Sequence, residues 1–351
     1  MENDKIINKI KIIDGKIIDL INQRMEQIVI SKNLNTEDYF SAVINNPSED
    51  IFRNSRILTE QEFLQRVYRE IVAEGEMIKN KNLKMIAFQG EHGAYSEAAA
   101  KHWNDDLVPI PCNEFAQVFE GVESGKYDYG IVPVENTLGG IVSEVNDLMI
   151  HTKLHVTGAI EIPIIHCLVV FPGTDHREIR DVYSHPQALA QCRNFVSRNK
   201  LKPMQYYDTA GAAKMISEKN QGNSAAISSK LAAEIYNLEI IKESIEDYEI
   251  NRTRFLILSK EKNTENGNKC SIVFSAAHKA GSLFSVLEKF AAESLNLTRI
   301  ESIPNQLGNY AFFLDFIGSE RDAKVQKVLR EITEMTMNFR LIGCYDERKI
   351  K

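Results

Sequence analysis

The sequence predicts a multidomain chain: an all-α segment, then an α/β region, then an α+β unit. Three observations predict this. Isoleucines and leucines recur every three or four residues up to about residue 82. From Lys84 onward, short apolar runs alternate with helical patterns. After Lys269 the patterns run strand, helix, strand, strand, helix, strand. A length of 351 residues exceeds one ordinary domain, and 43% hydrophobic residues can fill several cores.

The first segment places Ile6, Ile10, Ile13, Ile17, Leu20, Ile21, Met25 and Ile28 on one helical face. Pro47 lies in the polar stretch 45–48 and predicts a turn. A second periodic run covers Ile57, Phe63, Leu64, Val67, Ile71 and Met77, and a linker is expected over Lys79–Asn82. Met85–Phe88 then reads as a strand ending near Gly90. Phe115–Val122 reads as a helix, Gly130–Val134 as a strand, Val182–Ser184 as a strand end and Ala188–Val196 as a helix. Such alternation predicts covered, largely parallel sheets, with ligands beyond the strand C-termini. A polar linker is expected over Lys260–Lys269. The final βαββαβ order is ferredoxin-like: Ser271–Ser275, Ser282–Ala292, Leu297–Ile303, Tyr310–Phe316, Ala323–Thr333 and Phe339–Cys344.

A net charge of -7 argues against a nucleic-acid surface. An acidic protein that handles an anion must concentrate positive charge locally, so single arginines carry weight. Five scattered cysteines without a CxxC pair point to a reducing compartment and give no metal signature. No apolar leader or membrane-length run is visible. The expectation is a cytoplasmic protein with no membrane partner.

Chemistry concentrates in four places. Arg252-Thr253-Arg254 opens the apolar run Phe255–Leu258, setting a hydroxyl between two guanidinium groups that suit carboxylates. Three loops follow strands. One is Gly90–Ser96, where Ser96 can also cap a helix. The second is Pro133–Gly140, carrying Asn136 and Thr137, and the third is Ser184-His185-Pro186-Gln187, which also fits a helix start. No HExxH, P-loop, GxGxxG or GxSxG appears. A cofactor-free reaction on a small molecule is expected.

These residues carry a resemblance. Gln89-Gly90 with Gly93–Ala98, Asp128–Thr137, Tyr183–Cys192 and Thr253-Arg254-Phe255 resemble, in order, the motifs of prephenate dehydratase and of its relative arogenate dehydratase. The resemblance implies two α/β lobes, like those of periplasmic binding proteins, with the site between them. It implies that prephenate loses carbon dioxide and water together to give phenylpyruvate. Thr253 would hydrogen-bond the departing hydroxyl and Arg254 would orient a carboxylate. Ser96, Asn136, Thr137, Ser184, His185 and Gln187 would bind substrate. Phe255 is expected to pack behind the catalytic pair.

The C-terminal unit resembles an ACT domain, which implies phenylalanine bound at Gly281, Ser282, Leu283, Glu301 and Ser302 as feedback inhibitor. Ile303 stands where that family usually has arginine. The N-terminal helices resemble a chorismate mutase domain, with Arg24, Asp50 and Arg53 at matching positions. Ile7, Asn35 and Asn54 depart from its charged set, which predicts weak or lost mutase activity. The implied domains are 1–82, 83–260 and 268–351. A homodimer or homotetramer follows from ACT pairing and helix interlocking. A fully bifunctional mutase–dehydratase, an arogenate dehydratase and a non-enzymatic amino-acid sensor remain alternatives.

Overall fold

The computed structural model describes residues 2–33, 60–219, 223–263, 267–276, 279–304 and 310–351. The chain divides into two compact units, residues 1–85 with 125–127, and 86–124 with 128–351.

The first unit holds α1 (Glu2–Ser31) and α2 (Gln61–Asn80). They meet at Gly75, where an added Cβ would lie 2.5 Å from the Ile28 side chain. Helix α2 runs through Lys79, so the expected linker is shorter. The isoleucine face of α1 is largely uncovered: Ile6, Ile10, Ile13 and Ile17 are all exposed. Pro47, Asp50 and Arg53 lie outside the described residues.

The second unit begins with β1 (Met85–Gln89), α3 (Tyr95–Trp103), β2 (Val108–Cys112), α4 (Phe115–Ser124), β3 (Tyr129–Asn136), β4 (Gly140–Ile141), α5 (Ser143–His151) and β5 (His155–Pro163). The chain then crosses to a second lobe. There it forms β6 (Cys167–Val170), β7 (Asp181–Ser184), α6 (Pro186–Gln191), α7 (Arg193–Arg198), β8 (Lys202–Gln205), α8 (Thr209–Lys219), β9 (Ser224–Ser228), α9 (Lys230–Ile235) and β10 (Glu239–Lys242). The expected single helix over Ala188–Val196 is broken at Cys192. Strand β11 (Arg252–Ser259) returns to the first lobe.

The sheets are mixed, not largely parallel. Strands β1 and β3 pair in parallel, but β11 runs antiparallel to both β3 and β5, and β6 runs antiparallel to β9 and β10. The cause is the double crossing. A strand returning from the second lobe enters the first sheet from the end at which β5 left it.

The remainder is β12 (Lys269–Ala276), α10 (Ser282–Ala292), β13 (Leu297–Pro304), β14 (Tyr310–Ile317), α11 (Ala323–Met335) and β15 (Met337–Tyr345). Its sheet order is β13-β14-β12-β15, the βαββαβ topology the pattern predicts. Strand β12 begins inside the expected linker. A further strand, β16 (Glu347–Lys349), leaves this unit and pairs parallel with β5 in the first lobe. Residues 347–349, expected within the C-terminal domain, therefore complete the first-lobe sheet. Gly343 permits close contact between β15 and β5, because a Cβ there would lie 2.1 Å from the Val156 carbonyl oxygen.

Candidate active site

The two crossings, Ile164–His166 outward and 243–251 on return, form the floor between the lobes. They bond to each other: Ile164 N–H donates to the Asn251 carbonyl at 2.9 Å, and Ile245 N–H donates to the His166 carbonyl at 3.1 Å. Above them opens a cavity of about 390 Å³, within the range of small-molecule sites. Helices α3, α6 and α8 all begin at its wall, with Ala94, Tyr95 and Ser96, then His185, Gln187 and Ala188, then Asp208 and Thr209 lining it. Among the described residues no lysine or arginine lines it. Helix N-termini present partial positive charge, so α3 can meet an anion without cationic side chains, whereas at α8 the Asp208 carboxyl already accepts from Gly211 N–H.

Thr253 stands at the cavity, opposite Asn136 in the β11–β3 register. The Asn136 side chain is fixed by its surroundings. Its Oδ1 accepts from the backbone N–H groups of Leu138 at 3.0 Å and Gly139 at 2.6 Å. Its Nδ2 must therefore be the donor. It donates to Thr253 Oγ1 at 2.8 Å and to Asn251 Oδ1 at 2.8 Å. The Thr253 oxygen accepts there, and its hydroxyl can still donate.

The network continues. Asn251 Nδ2 donates to Gln191 Oε1 at 3.1 Å, and that oxygen lies 2.8 Å from His166 Nε2. His166 Nδ1 lies 2.9 Å from the Tyr95 hydroxyl, which itself donates to the Ile165 carbonyl at 2.8 Å. Burial holds His166 below the usual histidine range, against the opposite pull of Gln191 and Glu246. The imidazole is therefore neutral near neutral pH. Asp208 is pushed up by burial, against donation from Gly211 N–H.

The expected site residues divide. Ser96, Asn136, His185, Gln187 and Thr253 line the cavity. His185 also caps α6, its Nδ1 accepting from Gln187 N–H at 3.3 Å. Thr137 and Ser184 do not line it. Thr137 Oγ1 donates to the Ile250 carbonyl at 2.7 Å and accepts from Arg252 N–H at 2.9 Å. Ser184 is fully buried and donates to the Ile227 carbonyl at 2.7 Å. Both hydroxyls are engaged in holding loops.

Arg254 is the main correction. Successive strand residues face opposite sides of a sheet. Thr253 and Phe255 face the cavity, and Arg254 faces the rear. There it is 4% exposed and donates to Asp315 at 2.6 Å, to the Tyr345 hydroxyl at 3.1 Å and to Glu347. Phe255 is thus a cavity wall, and Arg254 is the residue behind. Tyr95, His166, Gln191, Asp208 and Asn251 went unassigned from sequence. Tyr95 and Gln191 lie within the matching motifs and Asn251 two residues before one, but His166, lone in an apolar run, carries no signal.

In the βαββαβ unit, Gly281 adopts φ +83° before α10. Ser282 and Leu283 line a cavity of about 320 Å³ with Ala276, Lys279, Tyr310 and Phe312. Glu301 and Ser302 lie on β13 outside that lining, and the Ile303 side chain is buried. In the helical unit, Arg24 lies 5.6 Å from the centre of the Tyr68 ring.

Residues 86–263 match the family described as prephenate dehydratase. The chain belongs to that family. It is 38% identical to arogenate dehydratase/prephenate dehydratase 2, chloroplastic, from Arabidopsis thaliana, over 77% of this chain and 74% of the relative. It is 30% identical to the structure of prephenate dehydratase in complex with L-Phe from Arthrobacter aurescens, with TM-score 0.70 over 75% of this chain and 89% of that one. A structure described as GqqA, a novel type of quorum quenching acylases, is 31% identical with TM-score 0.70 over 75% of this chain and 97% of that one. The expectation of a cytoplasmic protein is overturned by the comparisons, in which several Arabidopsis relatives are named chloroplastic. Dispersed cysteines mark a reducing compartment, and the cytoplasm is only one such compartment.

Proposed function

We propose that the cleft catalyses the decarboxylating dehydration of prephenate to phenylpyruvate, with Thr253 as the catalytic hydroxyl. The single observation behind this reading is that the Thr253 hydroxyl lines the cavity with Asn136 donating to its Oγ1, an orientation in which the hydroxyl can donate to a departing oxygen. As the ring carboxylate leaves as carbon dioxide, its electron pair enters the ring and hydroxide departs from the opposite carbon. Aromatisation supplies the driving force. A threonine is a poor acid, so its contribution is a directed hydrogen bond to developing negative charge. A substrate carboxylate would lie toward the α3 N-terminus with Ser96, which supports anion binding without an arginine.

Arogenate is the second reading, favoured by the names of the plant relatives. It differs from prephenate by an amino group in place of a keto group. The βαββαβ unit, residues 268–346 with the tail strand beyond, is proposed as an ACT domain that binds phenylalanine at Gly281–Leu283 and pairs with a second copy. The helical unit, 1–82, is proposed as a chorismate mutase-like domain with weak or lost activity.

One assay tests these readings. The purified chain is mixed with prephenate, arogenate or chorismate, each with and without phenylalanine, and product absorbance is followed. Phenylpyruvate should form from prephenate well above the spontaneous rate and fall when phenylalanine is added. No excess over the spontaneous rate with prephenate or arogenate would sink the dehydratase reading. Chorismate should disappear no faster than in buffer.

A further inference from the structure

Both arginines flanking Thr253 are held from behind the sheet. Arg254 has no access to the cavity, and its three nitrogens meet groups from two places later in the chain. Nη1 donates to Asp315 of β14 at 2.6 Å, Nη2 to the Tyr345 hydroxyl at the end of β15 at 3.1 Å, and Nε to Glu347 of β16. Asp315 is fully buried, so its charge has no solvent to fall back on. Ser271 of β12 ties the group together, bonding Asp315 and, at 2.6 Å, the Tyr345 hydroxyl. Lys269 bonds Glu347 at 2.9 Å from the other side. Arg252 repeats the pattern two residues earlier: it bonds Glu161 of β5 at 2.6 Å and the Ile350 carbonyl. Ile350 N–H in turn donates to the Glu161 carbonyl at 2.9 Å.

This arrangement does more than bury charge. The pleat fixes the direction of Thr253 relative to its two neighbours. Beside them β11 carries a bulge, so that Arg254 lies opposite Glu135 but Phe255 lies opposite Pro133. Ladder pairing is irregular there, and side-chain anchors can set the local backbone position. Glu161 of β5 and Glu135 of β3, 3.4 Å from Arg254 Nη1, belong to the first lobe itself, but the other anchors come from the βαββαβ unit and the tail strand, the elements that would shift if that unit changed state.

We infer that Arg252 and Arg254 are positioning residues through which the βαββαβ unit and the 347–350 tail set the placement of the Thr253 hydroxyl. The inference deepens the proposed dehydratase reading and rests on it for its kinetic part. Misplacing a reacting group by an ångström can cost up to about 10²-fold in rate, so loosening one prong is expected to lower kcat by about tenfold.

The test uses full-length Glu347→Gln and Tyr345→Phe, each removing one partner while Arg254 keeps the others. Hydrogen exchange needs no turnover: peptides covering 251–255 should exchange about tenfold faster than in the parent, with 85–89 unchanged. In turnover assays kcat should fall about tenfold with KM held within about twofold, and inhibition by phenylalanine should weaken. Unchanged exchange at 251–255 overturns the inference. So does a lowered melting temperature with unchanged kcat, since that marks a purely structural contact. If the parent itself turns over neither prephenate nor arogenate, the dehydratase reading fails and the exchange measurement alone decides the inference.

Discussion

The two faces of β11 solve opposite problems. On the cleft face Thr253 belongs to a neutral network of amides, an uncharged imidazole and hydroxyls. On the rear face Arg254 sits among carboxylates, with a guanidinium held further into its charged form. Burial alone would lower it, but Asp315, Tyr345 and Glu347 outweigh that. A site that must receive a dianion is better lined by oriented dipoles than by charged carboxylates, and Asp208, the carboxyl in the cavity lining, is pushed by burial toward its neutral form. The rear needs permanence, and a buried, fully partnered ion cluster holds one geometry. Charge that sequence reading assigns to the ligand serves the scaffold here.

Substitutions can break this contrast. The largest effect is expected from Arg254→Met, which strands Asp315 and should destabilise the fold by about 3–5 kcal/mol in denaturant unfolding. If Arg254 instead bound substrate, the loss would appear as a raised KM with stability intact. Next, Thr253→Ala should lower kcat by about 10²–10³-fold, with unfolding changed by no more than about 1 kcal/mol. A normal rate would remove Thr253 from the chemistry. Ser184→Ala should cost about 1–2 kcal/mol of stability, by stranding the Ile227 carbonyl, and leave turnover within about twofold. A large kcat loss there would return Ser184 to the site.

The smallest effect concerns His166. Its folded value lies below the unfolded one, so in that window the unfolded chain binds more protons and stability rises with pH. Its contribution is therefore complete above the ordinary histidine value, about 6.5, and is lost as pH falls toward the folded value. Chemical unfolding between pH 7 and pH 5 should show a shallower acid loss in His166→Gln than in the parent. An identical slope would mean that the imidazole titrates normally and that the cleft face is not the neutral network described.

Much of the fold was legible. The βαββαβ unit was readable because each of its six apolar runs has the length of a strand or a helix and ends in polar punctuation, even though β12 and β14 are buried on both faces. The second lobe was less so: β9 is Ser224-Ala225-Ala226-Ile227-Ser228, whose small side chains show no alternation although every residue is buried. In the site, adjacency was legible but phase was not. Thr253 and Arg254 were paired through the resemblance of Thr253-Arg254-Phe255, yet successive strand residues point to opposite faces, and only Thr253 lines the cavity. The hydroxyls of Thr137 and Ser184 were misread for a different reason. Their partners are the carbonyls of Ile250 and Ile227, and no local pattern reveals a backbone acceptor supplied by a distant segment.

The pairing of β16 with β5 has a consequence for how the molecule is made. The register joins Glu347 to Ala159, so one edge of β5 waits for a partner through the synthesis of the whole second lobe and the βαββαβ unit. A ribosome elongating at roughly 5–20 residues per second leaves that edge uncovered for about ten seconds or more. An open strand edge is a template for pairing with other chains. The nascent first lobe thus keeps an open strand edge until the chain is almost complete, a stage open to misassembly.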